Sequence, residues 1–217
     1  MGDLVYRGVI AMSRAAFCGL GLRIELRGDE HLPTTRGAVL ASNHVSSLDF
    51  LFVGLVGVQR GRLVRFLAKE SIFRLPVVGW AMRRMRHISV DRAHGTAALR
   101  RAVRVAAAGE VVGIFPEATF SRKGALLPLR PGAAAIAVWD QVPLVPVAVW
   151  GGQDVLSVRP WRFRLRRGVT VTVVVGEPLR PGPHSDPAAV TDVLRARVGD
   201  LLRETAQTLD PEPSRAR

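Results

Sequence analysis

The sequence predicts an α/β fold: a single domain with a central mixed, largely parallel sheet flanked by helices, preceded by an N-terminal amphipathic helical segment. Two observations support this prediction. Short apolar runs typical of strands alternate along the chain with segments whose apolar residues recur at helical spacing. A length of 217 residues and an apolar fraction of 48% are enough for one sizeable core but not for two full domains.

The N-terminal segment, residues 4–22, is apolar but contains Arg7 and Arg14. A spanning helix needs about 20 consecutive apolar residues, and a central arginine costs about 2.5–3.5 kcal/mol, so this segment is not expected to cross a membrane. Two alternatives remain for it. The helix lies flat on a membrane with its arginines toward the headgroups, or it packs on the domain as a first amphipathic helix.

The next elements follow the same logic in chain order. Residues 22–27 alternate apolar and charged side chains, which predicts a half-buried strand. The short apolar run 38–42 ends at Asn43, and the apolar stretch 48–58 is long enough for a helix, so this region predicts strand, turn and helix. A strand over 63–67, a helix over 77–85 that follows Pro76, and a brief strand over 88–90 complete the first half.

The second half continues the alternation. Thr96 and Gly109 bracket a predicted helix, and strands are predicted over 111–115, 144–149 and 169–175, with a helix over 132–139. Asp186 as N-cap and Pro187 at the first helical position predict a last helix with one apolar stripe. Its members are Val190, Val193, Leu194, Val198, Leu201 and Leu202. We divide the chain into a helix and lead-in strand (1–27), a main domain (28–207) and a disordered tail (208–217).

The charge balance is strongly basic, with 31 Lys and Arg against 18 Asp and Glu and a net charge of +13. This predicts an anionic partner: nucleic acid, an anionic membrane surface or a phosphorylated substrate. The single cysteine, Cys18, excludes an intrachain disulfide and is expected to be a small buried hydrophobe in a protein of a reducing compartment. The sequence contains no P-loop, dinucleotide fingerprint or Gly-x-Ser-x-Gly elbow, and it predicts no metal site.

His44 and Asp49 are the most informative pair of polar residues, because they lie in the turn between a buried strand and a helix. If His44 precedes the helix and Asp49 lies in its first turn, the carboxylate accepts a hydrogen bond from one imidazole nitrogen. The other nitrogen then serves as a general base. Ser46 and Asp49 also have the spacing of a capping box, which needs no catalysis, and both interpretations are compatible.

A second polar segment, 115–122, follows another buried strand and reads Phe-Pro-Glu-Ala-Thr-Phe-Ser-Arg. Together with Asn43-His44 and Asp49, it resembles the glycerolipid acyltransferase family, whose signatures are NH-x4-D and FPEG-T-R. Residues 69–92, ending Ile-Ser-Val-Asp-Arg, resemble the second family block, and 142–147 resemble the fourth. Four blocks in order cover about residues 40 to 150.

The resemblance implies transfer of a fatty acyl group from acyl-CoA or acyl carrier protein to a lysophospholipid hydroxyl, typically that of 1-acylglycerol-3-phosphate, in phospholipid biosynthesis. It implies that His44 is the general base and that Asp49 holds it. Residues implied in substrate binding are Asn43, Lys69, Arg92, Glu117, Thr119, Ser121 and Arg122. No cofactor is implied, and the expected location is peripheral, at an anionic membrane surface on its cytoplasmic face.

The second signature departs from the family pattern. Ala118 stands in place of glycine and Phe120 in place of arginine, and the next cation, Arg122, is displaced by two residues. Since two residues along an extended loop preserve side-chain facing, Arg122 is positioned to substitute. The alternative is an enzyme of the same family with a different lipid acceptor.

Three further interpretations of the basic residues remain open. Residues 83–87, rich in arginine, are either a phosphate-binding cluster or a solvated helix face. Arg162, Arg164 and Arg166 form either a membrane-docking ridge or an ordinary edge strand. A basic nucleic-acid-binding module is the alternative from another class, and the sequence contains neither zinc-finger spacing nor an RNA-binding aromatic signature to favour it.

Overall fold

The computed structural model describes residues 2–91, 95–121, 125–159 and 162–209, and nine strands and eight α-helices are described in this part of the chain. The strands are β1 Arg23–Arg27, β2 Ala38–Ser42, β3 Val64–Lys69, β4 Ile88–Val90, β5 Val111–Ile114, β6 Leu144–Trp150, β7 Leu156–Arg159, β8 Arg162–Leu165 and β9 Thr170–Val175. The helices are α1 Gly2–Gly19, α2 Asp49–Gln59, α3 Glu70–Phe73, α4 Pro76–Arg84, α5 Gly95–Ala107, α6 Gly132–Asp140, α7 Gly152–Val155 and α8 Pro187–Leu209.

Seven strands form one sheet in the order β1-β9-β6-β2-β5-β3-β4, and β7 pairs with β8 in a separate antiparallel ribbon. The neighbours from β6 to β4 are all parallel, whereas β9 runs antiparallel to β6 and parallel to β1. The mixed, largely parallel sheet predicted from the sequence is therefore confirmed. The carboxyl ends of β6, β2 and β5 are adjacent, which is where open α/β sheets place their ligand sites.

Two hydrophobic layers cover the sheet, one on each face. Helices α1, α2 and α4 pack on one face, and α5, α6 and α8 pack on the other. Strand β2 is buried at every position, with Leu40 in the first layer and Val39 and Ala41 in the second. Burial on both faces explains why β2 is a continuous apolar run rather than an alternating one.

The helix signals predicted from the sequence hold with local exceptions. The Asp186 carboxylate accepts hydrogen bonds from the backbone N–H groups of Ala188 and Ala189 at 3.1 and 3.2 Å, so its N-cap role is confirmed. Helix α5 begins at Gly95, so Thr96 lies inside it. Val193 of the predicted α8 stripe is exposed, whereas Thr191, which was not predicted, is buried. The face of α8 that packs on the sheet therefore includes Thr191 and Leu194 but not Val193.

Helix α1 packs on the domain, which was one of the two alternatives for this segment. Tyr6, Ile10 and Phe17 are buried against the first layer, while Leu4 is exposed. The prediction that Cys18 is buried is wrong, because it lies on the outer side of this helix. Among the described residues, no helix has the length and apolar character needed to cross a membrane.

The structure also bears on the proposed division of the chain. Strand β1 is hydrogen-bonded to β9 along its whole length, so the lead-in strand belongs to the same sheet as the main domain. Helix α8 continues to Leu209, so residues 208 and 209 of the predicted tail are helical. The remainder of that tail lies outside the described residues.

A buried polar cluster lies beneath α1 and α4. Arg65 donates to Glu110 at 2.6 Å, to the Met85 carbonyl at 2.8 Å and to Asp3 at 3.1 Å. His87 is buried beside it, and its Nδ1 accepts the Phe66 N–H at 3.0 Å. The basic segment 83–87 is therefore not one solvent-facing group, because the imidazole lies in the core.

Acidification is expected to destabilise the protein through His87, because burial and the nearby Arg65 charge lower its pKa to about 3. The unfolded chain binds a proton at this residue below about pH 6.5, whereas the folded chain does so only near pH 3. The free energy of unfolding at this site therefore falls by up to about 1.4 kcal/mol per pH unit across that window.

The variant His87→Asn tests this expectation, since the asparagine oxygen replaces Nδ1 as an acceptor but does not titrate. Urea unfolding followed by circular dichroism at several pH values from 7 to 4 measures the slope. We expect lower stability at pH 7 and a shallower loss on acidification than in the parent protein. Identical slopes in the two proteins would show that His87 is not the titrating group.

Candidate active site

The site lies at the carboxyl ends of three neighbouring strands. The turn after β2 carries His44, the loop after β5 carries Glu117, and the last residues of β6 include Val149. Because these strands are parallel and adjacent, their following segments meet at one edge of the sheet although they are far apart in the chain.

His44 and Asp49 are in direct contact, with 3.0 Å between Nδ1 and Oδ2. The same carboxylate oxygen accepts the backbone N–H groups of Val45 at 2.6 Å and Ser46 at 2.7 Å. One oxygen thus holds both the imidazole and the backbone of the turn before α2. The predicted capping box is not formed, because Leu48 lies at the N-cap position of α2 and no side chain caps the helix there. Burial raises the pKa of Asp49, and the hydrogen bonds from His44, Ser46 and Val45 act in the opposite direction.

The geometry assigns the tautomer of the neutral imidazole. Asp49 is fully buried and its Oδ2 already accepts two N–H groups, so His44 Nδ1 donates to it. Nε2 is then the nitrogen with a free lone pair. The His44 side chain keeps 20% of its surface exposed, whereas Asp49 keeps none, so the imidazole is accessible and the carboxylate is not.

Asn43 attaches this turn to β6. Its amide nitrogen donates to the Val149 carbonyl at 3.0 Å, and its amide oxygen accepts the Val149 N–H at 2.7 Å. The residue is buried, so its side chain faces the strand rather than the open edge of the sheet. The amide continues the hydrogen-bonding pattern of the sheet beyond the end of β2.

Glu117 and Ser121 attach the loop after β5 to the same turn. Glu117 accepts the His44 N–H at 2.7 Å and the Leu127 N–H at 2.8 Å. Ser121 donates to the His44 carbonyl from its N–H at 2.7 Å and from its hydroxyl at 3.1 Å. Both backbone polar groups of His44 are therefore bonded. Burial raises the pKa of Glu117, and hydrogen bonds from Leu127 and His44 oppose the shift.

Two phenylalanine rings contact the imidazole. The Phe115 ring is stacked on it with 4.3 Å between ring centroids, and the Phe120 ring is tilted by 41° at the same distance. Phe66 stacks in turn on Phe115 at 5.8 Å. From the sequence, Phe120 was expected only as a replacement for arginine, and Phe115 was not among the predicted site residues. The available signal was their position directly around Glu117.

Gly152, at the start of α7, also belongs to the site and was not predicted from the sequence. A Cβ at this position would lie 2.9 Å from Asp49 Oδ1 and 3.3 Å from the Val45 side chain. The buried Asp49 carboxylate therefore requires a residue without a side chain here. No local motif marks this glycine, because its neighbour in space is about a hundred residues earlier in the chain.

The remaining predicted site residues are placed as follows. Lys69 is exposed at the carboxyl end of β3, on the same edge of the sheet, and Thr119 is exposed in the loop after β5. Arg92 and Arg122 lie outside the described residues. Ala118 has a φ of 56°, a left-handed conformation that glycine adopts more easily.

The described residues contain no group of three His, Cys, Asp or Glu side chains arranged to hold a metal ion. An open groove of about 780 Å³ runs along α8, where Leu126, Trp150 and Arg195 contribute to its lining. His44 and Asp49 do not line it. The His44–Asp49 pair thus lies at an open edge of the sheet rather than in this groove.

Fold and site together define an α/β protein with a histidine–aspartate pair at the carboxyl edge of its sheet. The family model Acyltransferase matches residues 23–150. The chain belongs to the acyltransferase family.

Individual relatives agree with this assignment. The chain is 33% identical over 188 residues to 1-acyl-sn-glycerol-3-phosphate acyltransferase alpha of Bos taurus, covering 85% of this chain and 64% of that protein. It is 29% identical over 206 residues to 1-acyl-sn-glycerol-3-phosphate acyltransferase of Bacillus subtilis (strain 168), covering 88% and 98%. The chain thus spans less than two thirds of the mammalian relative's length but nearly all of the bacterial one.

A solved structure is similar over most of its length. The 1-acyl-sn-glycerophosphate (LPA) acyltransferase PlsC from Thermotoga maritima superimposes with a TM-score of 0.78 at 25% sequence identity. The match covers 94% of this chain and 80% of that one.

Proposed function

We propose that this protein transfers a fatty acyl group from acyl-CoA or acyl carrier protein to the hydroxyl of a lysophospholipid. The proposed acceptor is 1-acyl-sn-glycerol-3-phosphate and the product is phosphatidate, which places the reaction in phospholipid biosynthesis. The observation that carries the proposal is the accessible His44 imidazole bonded to the buried Asp49. The names of the relatives support the choice of acceptor.

The proposed mechanism needs no protein nucleophile. His44 Nε2 removes the acceptor hydroxyl proton as the oxygen attacks the thioester carbonyl carbon. The new C–O bond forms, the C–S bond breaks, and the proton passes from His44 to the leaving thiolate. Asp49 holds the ring and stabilises its transient positive charge, as in other histidine–carboxylate pairs.

The other site residues divide into two proposed roles. Asn43, Glu117 and Ser121 are positioning residues, because their side chains are buried and bonded to the turn or to β6. For Asn43, Glu117 and Ser121, this role replaces the substrate contact expected from the sequence. The exposed Lys69 and Thr119, with Arg92 and Arg122, are proposed to bind the phosphate groups of acceptor and donor.

The proposed location is the cytoplasmic face of an anionic membrane, to which the protein binds peripherally. A lysophospholipid acceptor is an amphiphile that resides in membranes, and a net charge of +13 favours an anionic surface. We propose the lipid substrate and this surface, rather than nucleic acid, as the reason for the positive charge.

A panel of lyso-acceptors tests the function. The purified protein is incubated with one radiolabelled acyl-CoA and each acceptor in turn, and free thiol and labelled lipid are measured. We expect acceptor-dependent thiol release, with the highest kcat/KM for 1-acyl-sn-glycerol-3-phosphate. Preference for another acceptor would overturn the acceptor assignment. A structural reason for such a preference would be Phe120, which stands beside His44 where the family has arginine. Thiol release that never depends on an acceptor would overturn acyl transfer.

A further inference from the structure

Helices α3 and α4 form a short hairpin, residues 70–84, that exposes several large apolar side chains. Val77 is 78% exposed, Leu75 is 51% exposed and Trp80 is 49% exposed. Ile72 and Val78 are exposed beside them. Scattered apolar residues are normal on a protein surface, but here five exposed large apolar side chains fall within nine positions of one hairpin, and we call them the apolar patch.

The hairpin is firmly attached beneath this patch. Gly79 lies so close to the end of α3 that a Cβ there would be 2.1 Å from the Phe73 carbonyl oxygen. The same carbonyl accepts a hydrogen bond from Arg83 at 2.6 Å. Phe73 and Met82 are buried in the first hydrophobic layer. The exposed side chains are therefore presented by a packed support and not by a loose loop.

Basic side chains accompany the exposed apolar residues on this hairpin. The hairpin contains three arginines against one glutamate, and Glu70 pairs with Arg74 at 2.9 Å. The Arg84 guanidinium lies over the Trp80 ring, 5.7 Å from its centroid. Tryptophan with a neighbouring arginine is suited to a lipid–water interface, because the ring enters the headgroup layer while the cation contacts phosphate.

The hairpin also lies next to the candidate active site. Helix α3 begins directly after Lys69 at the end of β3, on the edge of the sheet that carries His44. Phe66 of the same strand stacks on Phe115, which in turn stacks on His44. A surface that binds a bilayer here would bring the headgroup layer to the edge where the base is accessible.

We propose that the α3–α4 hairpin docks this protein on an anionic phospholipid bilayer, with Val77 and Trp80 entering the headgroup layer. The inference rests on the proposed function, since it assumes a membrane-resident acceptor. A second copy of the chain fits this surface less well, because a twofold contact would bring the arginines of both hairpins together. The surface differs from the two that the sequence indicated, the face of α1 and residues 162–166.

Vesicle flotation with the double variant Val77→Ser/Trp80→Gln tests the proposal. The probe is a vesicle of phosphatidylcholine and phosphatidylglycerol in equal parts, compared with one of phosphatidylcholine alone. We expect the parent to bind the anionic vesicles more strongly and the variant to bind them at least about tenfold less, given the apolar area removed. Trp139→Gln is the matched control, because Trp139 is similarly exposed but lies on α6, on the other face of the sheet.

Each outcome is decisive. Equal vesicle binding by the parent and the double variant, or an equal loss in Trp139→Gln, would overturn the docking surface. Light scattering gives a further test. If the parent is a dimer that the double substitution dissociates, the hairpin surface binds a second copy of the chain, and the docking surface is likewise overturned. Activity on a monomerically dispersed acceptor separates the two proposals: if the parent lacks that activity but the binding difference remains, only the proposed function fails.

Discussion

Replacing His44 with alanine is expected to lower kcat/KM for acyl transfer by about 10²- to 10⁴-fold, the contribution of a positioned general base. In the His44–Asp49 pair the imidazole is accessible and the carboxylate is buried, and Nε2 is the imidazole nitrogen free to accept a proton. Thiol release from acyl-CoA in the presence of acceptor measures the effect. The loss should appear in kcat, because in the proposed mechanism the ring acts on the reacting hydroxyl rather than on the headgroup.

The fold should survive this substitution. Glu117 and Ser121 bond to the backbone of His44, so these contacts remain when the side chain is removed. A melting curve close to that of the parent checks this. His184→Ala serves as a control, because His184 is an exposed histidine between β9 and α8 and is not part of the candidate site. Full activity of His44→Ala in a folded protein would eliminate the mechanism.

Changing Asp49 to asparagine is expected to reduce kcat by up to about 10⁴-fold, as loss of the orienting carboxylate does in a catalytic triad. The amide has no charge to stabilise the imidazolium formed during proton transfer. If its oxygen keeps the place of Oδ2 and the contacts to Val45 and Ser46, its NH₂ group occupies the buried place of Oδ1 beside Gly152. If it is reversed, it donates to His44 Nδ1 and selects the wrong tautomer.

The measurement for Asp49→Asn is kcat as a function of pH, together with urea unfolding. Asp154→Asn is the matched control, because the Asp154 carboxylate is exposed. The ion pair described for it, with Arg166 at 3.4 Å, is also exposed. We expect the control to retain the parent's kcat. An Asp49→Asn protein with unchanged kcat would mean that Asp49 only holds the turn before α2 and has no part in proton transfer.

Much of the fold was predictable because its signals are local. The continuous apolar run of β2, the alternation in β1 and the Asp186-Pro187 start of α8 each depend on neighbouring residues, and each element is present. Helix α3 was missed because it is a single turn of four residues, too short for a helical period. Cys18 was misplaced because the side of α1 that faces the domain depends on packing, not on composition.

The central pair of the candidate site was predictable from the sequence, but the contacts that hold it in place were not. His44 and Asp49 are close in the chain, so a turn before a helix was enough to bring them together. Asn43, by contrast, bonds to Val149, and Glu117 bonds to His44 and Leu127. Nothing in the local sequence says which distant backbone group will satisfy a buried amide or carboxylate.

From its amino-acid order alone, this chain specified alternating elements, a histidine–carboxylate pair and a family signature, since all three are encoded at short range. Only the tertiary structure decided that Asn43 and Glu117 face inward, that two phenylalanines contact the imidazole, and that a nearby hairpin exposes large apolar side chains. The physical reason is that burial and orientation depend on which strands become neighbours, and parallel pairing joins segments separated by whole helices.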